Sequence, residues 1–141
     1  MATSAQFTSQ PILEYAQGLT ADSSLTSPTN FVTVCSGPAV AAGAGVGKRI
    51  NRVCIVPTAT TTATTIRFFV STDNGTTKRL LVEKIIPAVT VTAGSTAVPR
   101  QEVPELTGLI LPGGTGDNTC SLLASTSVSA ATNIIVESGL L

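Results

Sequence analysis

Few side chains in this sequence are suited to making or breaking bonds. It has no histidine, which removes the commonest general base and the commonest metal ligand together. A serine or cysteine triad of the usual kind is excluded for the same reason. Three cysteines, Cys35, Cys54 and Cys120, are spaced too widely for a CxxC pair or a zinc pattern. Cys54 in RVCIV and Cys120 in NTCSLL sit among aliphatic residues, where a thiol acts as a small apolar side chain. The carboxylates are Glu14, Asp22, Asp73, Glu83, Glu102, Glu105, Asp117 and Glu137, and only Glu102 and Glu105 form a close pair. Glycoside hydrolysis needs two carboxylates converging across a cleft that is normally lined with aromatic rings. With no Trp, one Tyr and four Phe, Glu102 and Glu105 read as solvated edge charges instead. GAGVGK at 43–48 invites a phosphate-loop reading, but the pattern requires Ser or Thr after the lysine and then a helix. Arg49 and a strand follow here, so 37–48 reads as a flexible glycine-rich loop. The residues predict no enzyme, no cofactor and no metal.

The elements that would have to position such groups are all extended. Apolar residues come in short runs broken by Gly, Pro, Ser, Thr and Asn, and no helical period survives over eleven residues. Strands are expected at 12–16, 31–36, 49–57, 64–71 and 78–86, within 97–107, and at 119–125 and 132–138. About eight strands predict an all-β, single-domain, two-layer β-sandwich of jelly-roll kind, with residues 1–11 as an N-terminal arm or leader and 12–141 as the domain. In TIRFFV, Ile66, Phe68 and Val70 share one face, and Arg67 and Phe69 the other. Asp73, Asn74 and Gly75 then supply a tight hairpin turn. The returning KRLLVEKII carries apolar residues on both faces, which predicts a strand covered on both sides. LPGGTGDN at 111–118 reads as a turn-rich connection. Pro99 and Pro104 place 97–107 at a sheet edge, because proline cannot donate to the ladder.

The 141 residues are 43% hydrophobic, 4% aromatic and 11% charged, with net charge zero. Globular domains usually carry about 25% charged residues. A surface of Thr, Ser, Ala and Gly loses little solvation when covered, which suits permanent contacts as well as a low-charge monomer. Charge is unevenly placed: residues 48–84 hold seven cations against two anions, and the rest of the chain one cation against six anions. Two readings follow: pairing within the molecule or on solvated faces, and meeting of opposite patches between neighbouring copies. Without interleaved aromatic residues, the basic stretch predicts no nucleic-acid partner. The apolar runs are glycine-broken and far below the ~20 residues of a membrane span. The N-terminus lacks the basic and apolar regions of a signal peptide, so a soluble protein is expected. The cysteine count fits folding in a reducing cytoplasm.

GKRINRVCIVPTATTTATTIRFFVSTDNGTTKRLLVEKIIPAVTVTAGSTAVP, followed by LTGLILPGGTGDNTCSLLASTSVSAATNIIVESGLL, resembles a group of small β-rich virion structural proteins of tailed bacteriophages, of the capsid decoration or accessory type. The opening FTSQPILEYAQGLTADSS is similar to that family's first segment, so the likeness covers most of the chain. Its motifs are structural, and no catalytic residue is carried over. LLASTSVSAATNIIVESG departs from the family in lacking its His and aromatic residue. The resemblance implies a decoration protein on the outer head surface of the virion, made in the host cytoplasm. Its implied partners are the major capsid protein and further copies of itself, in a homo-oligomer such as a trimer. Loops and tips project from a sandwich, which points to Phe7 in the arm, Lys48 and Arg49 at the 37–48 loop, and Asn74, Gly75, Lys78 and Arg79 at the hairpin as contact elements. The alternatives are a tail, baseplate or fibre-associated virion protein, and a carbohydrate-binding β-sandwich for host adhesion.

Overall fold

β-branched and aliphatic runs, stopped by Gly, Pro and Asn, build nine strands in a computed structural model that describes residues 10–41, 43–92 and 100–141. They are β1 (Gln10–Leu19), β2 (Val32–Ser36), β3 (Gly47–Pro57), β4 (Thr64–Ser71), β5 (Arg79–Ile86), β6 (Gln101–Glu102), β7 (Ile110–Pro112), β8 (Ser121–Thr126) and β9 (Ala130–Leu140). Single 3-10 turns occur at Pro104–Leu106 and Gly116–Asn118, and no α-helix is present among the described residues.

One sheet runs β1-β9-β3-β6, with β7 also on β3, and the other runs β2-β8-β4-β5. Every strand pair is antiparallel. The pairing is nested: β1 with β9, β2 with β8, β3 with β6 and β7, and β4 with β5. With β6 and β7 taken as one interrupted strand, this is a long antiparallel hairpin folded over into two layers, which is a jelly roll with eight strand positions. The interruption falls at Pro104, which lacks an N–H and opens a 3-10 turn. The chain stays bonded to β3 on either side of it: Val103 N donates to Val53 O at 2.9 Å, and Ile50 N to Leu109 O at 2.8 Å. The expected all-β sandwich is therefore the observed fold, with nine strands in place of about eight.

The core fills the space between the sheets. Ile50, Val53, Ile55, Ile134 and Val136 from one layer pack against Ile66, Phe68, Ile86, Leu122 and Ala124 from the other. Phe69 and Leu123 face each other across β4 and β8, outside that core cluster, and are nonetheless buried. The β1–β2 connection, residues 20–31, lies on their side. Asp22 N donates to Thr126 O at 2.8 Å, and Arg67 Nη1, on the same face as Phe69, reaches Asp22 O at 3.4 Å.

Several expectations are corrected. The strand at 78–86 is not covered on both sides: β5 is the last strand of its sheet, and Ile85 is 73% exposed. Part of its apolar run comes from a bulge. Phe68 pairs with Val82 and Phe69 with Leu80, so Leu81 is an extra residue. Residues 111–118 are not wholly a connection, because Ile110–Pro112 pair with Arg49–Gly47 of β3. The β4–β5 turn at Asp73, Asn74 and Gly75 is longer than the tight one expected, spanning 72–78. Finally, β1 is twice the length expected and begins at Gln10, paired with Leu140; residues 1–9, with Phe7, lie outside the described residues.

Candidate contact surfaces

The hairpin tip is held by a short polar network. Asp73 Oδ1 accepts from Ser71 Oγ and from Thr77 N, each at 2.8 Å, and Ser71 Oγ accepts from Gly75 N at 2.8 Å. The Thr77 hydroxyl and amide, with the Ser71 hydroxyl, hold the Asp73 carboxyl at about 2, well below its ordinary range. Asn74 and Gly75 adopt left-handed backbone with φ of 54° and 82°, the role their types suggested. Lys78 places its ammonium 4.6 Å from the centre of the Phe31 ring, a cation–π contact joining the tip to the β1–β2 connection. Asn74 and Arg79 are exposed, and Gly75 and Lys78 are half-buried. Arg49, exposed on β3, has no ion-pair partner among the described residues.

Lys48 was expected at the surface because it follows a glycine-rich loop. It is instead in β3, pointing inward and only 6% exposed. Its ammonium donates to both Glu14 oxygens, at 3.0 and 2.9 Å. Cys35 lies close by, and burial, with the Glu14 carboxylate adding to it, pushes its thiol up to about 12. All three cysteines are free and buried, with burial also raising Cys54 and Cys120. No group of three or more His, Cys, Asp or Glu positioned for a metal occurs among the described residues.

Much of the charge asymmetry resolves into pairs within the molecule. Arg52 grips Glu102 through Nε and Nη2 and reaches Glu137 at 3.5 Å, Arg100 Nε meets Glu102 at 3.0 Å, and Arg67 Nε meets Glu83 at 2.8 Å. The Arg52 hydrogen bonds lower the Glu102 carboxyl below its ordinary range. In the other connection, Asp22 accepts from the amides of Asn30, Ser24 and Thr29 and from the Thr29 hydroxyl, which holds it at about 2. These carboxylates tie loops and strands together.

The surface missed by sequence reasoning is the outer face of β1. Leu13 and Tyr15 are 68% and 69% exposed, while Glu14 between them faces the interior. Alternation of ILEYAQ marks the two faces, but the usual rule puts Leu13 and Tyr15 inside and Glu14 outside. The strand is inverted because Lys48, on β3, meets the carboxylate within. With Gln17, Asn133 and Ile135, these residues line a shallow hollow of about 270 Å³. A second groove of about 390 Å³ opens between β1 and β2, with Glu14, Val34 and Cys35 in its lining.

No protein-family model, curated protein or solved structure matches the chain.

Proposed function

We propose that this chain is a structural component of a tailed-bacteriophage virion, a decoration protein that lies on the outer head surface against the major capsid protein. Two considerations support the reading in general terms. The likeness to small β-rich phage proteins spans most of the sequence, and the jelly roll recurs in viral capsid and lectin domains. A fold of that kind hosts many functions, so the weight rests on the surface. The observation that carries the proposal is the division of labour among side chains. Glu14, Lys48, Arg52, Arg67, Glu83 and Glu102 are engaged with one another, while Leu13, Tyr15, Ile85 and Ile110 are exposed. Such a surface gives up little hydration when a neighbour covers it, and it gains from burying the apolar groups.

The test is electron cryomicroscopy of particles that contain the chain, together with heating of heads made with and without it. Regular copies over the capsomer seams, and heads that rupture at lower temperature in its absence, are expected. Copies on the tail, or heads equally robust without the chain, overturn the reading. A second reading, adhesion to host glycans, draws on one feature: Tyr15 stands beside the Gln17 and Asn133 amides in the outer hollow. A glycan array with wild type and Tyr15→Ala decides it, since a stacking ring lost from a real site abolishes the signal.

A further inference from the structure

We infer that β1 is the site of a two-fold association in which the β1 strands of two copies pair antiparallel and join their five-stranded sheets into one. The inference does not depend on the virion reading.

An unpaired sheet edge presents a row of backbone donors and acceptors, and folded proteins blunt such edges with charge, proline, bulges or brevity. Among the described residues, three of the four sheet edges are blunted in those ways. β2 has five residues and a register shift between Thr33 and Cys35. β5 carries Arg79, Glu83 and Lys84 in eight residues. The edge formed by β6 and β7 consists of two- and three-residue pieces separated by a proline turn. The fourth edge, β1, runs for ten residues, has no Lys or Arg, and pairs on one side only among the described residues; its one proline, Pro11, stands next to the strand's start and leaves residues 12–17 as an open stretch. Its register shift lies near the far end, between Gln17 and Leu19.

Glu14 is the one charge on that strand. An inward charge on an edge strand ordinarily deters pairing, because an added strand would bury it uncompensated. That deterrent is cancelled here, since Lys48 already occupies both carboxylate oxygens inside the same subunit. The exposed side of the strand carries Leu13 and Tyr15, each more than two-thirds open to solvent. Partner strands bearing unpaired charges would meet nothing to pair with, whereas a second β1 brings its charge already neutralised. The chain's zero net charge adds no long-range repulsion between copies.

The geometry is self-complementary, as a two-fold contact requires. In a register centred on Tyr15, the two Tyr15 rings face each other on the outer surface and Leu13 faces Gln17. Glu14 then lies opposite Ala16, so the two carboxylates stay apart. Aromatic and aliphatic cross-strand neighbours of this kind stabilise a pair.

Sedimentation equilibrium of the full chain tests the inference. The wild type is expected to be a dimer, and Tyr15→Lys, which sets two ammonium groups against each other, to weaken it by about 30-fold or more. Because Tyr15 is exposed within one subunit, the variant's far-ultraviolet circular dichroism should match the wild type's, and any fall in its thermal melt should vanish at concentrations where the wild type is also monomeric. Mild oxidation adds a positional readout, since the three native thiols are buried. Tyr15→Cys, opposite itself, should form a disulfide-linked dimer faster than Gln17→Cys. A wild type that is monomeric or trimeric, a dimer indifferent to Tyr15→Lys, or equal cross-linking of the two cysteine variants overturns the proposal.

Discussion

Glu14 and Lys48 sit 34 positions apart in sequence and share two short hydrogen bonds inside the sandwich. Lys48 is buried and Glu14 is partly exposed, so removing the carboxylate leaves a buried ammonium without compensation in a medium that solvates it poorly. Glu14→Gln is therefore expected to destabilise the fold by about 3 kcal/mol in urea titration. Replacing both residues together, as Glu14→Leu with Lys48→Met, should cost clearly less. Asp22 and Asp73 act differently, since their carboxylates gather amide and hydroxyl donors at loops. Both are held at about 2 in the folded chain, against an ordinary value of 3.8. A lowered folded-state value means that the unfolded chain binds protons first as pH falls. Their contribution is thus fully present above about pH 4 and is lost as pH drops towards 2. Acid unfolding followed by circular dichroism should be flatter across that window in the Asp22→Asn, Asp73→Asn double variant.

At the scale of the element, β5 shows how neighbouring residues of one type separate by face. Ile86 is fully buried in the core and Ile85 is 73% exposed. Ile86→Ala removes packed methylenes and should cost about 3 kcal/mol, whereas Ile85→Ala should stay within about 0.5 kcal/mol. Equal effects in urea titration would mean that the outer face of β5 is covered. The strand bounds of β4 were legible because TTIRFFVS is an unbroken run of mostly β-branched and aromatic residues, followed by the turn residues Asp73, Asn74 and Gly75. β7 was not legible. It is three residues long, ends in proline with glycine next, and is paired because β3 extends to Gly47 to receive it. The same limit concealed the role of Gly37, at the end of β2. A β-carbon there would collide with the Pro112 carbonyl, a neighbour supplied from 75 residues away.

For the whole molecule, nested pairing makes the last strand the spine of the first sheet. β9 lies between β1 and β3 and is bonded to both along most of its length. Deleting residues 132–141 would strip both of a partner and remove Ile134 and Val136 from the core. That truncation is expected to lose the cooperative unfolding transition altogether, as seen by thermal circular dichroism. Joining the chain's ends in this way also requires distant contacts to form together, so refolding of the full chain should fall in the millisecond-to-second range typical of such topologies.

The sequence by itself determined most of the strand runs, the absence of histidine chemistry and the all-β class, because these follow from residue type and from alternation within a few positions. It also determined where the β4–β5 hairpin turns, since Asn74 and Gly75 accept a backbone that most residues resist. Tertiary structure alone decided which side of a strand is inside and which strand ends a sheet. Glu14 faces inward only because Lys48 meets it there, and Leu13 and Tyr15 face outward as the consequence. Burial is a property of the assembled layers, so a charge or an apolar side chain acquires its place from a partner that local sequence does not contain.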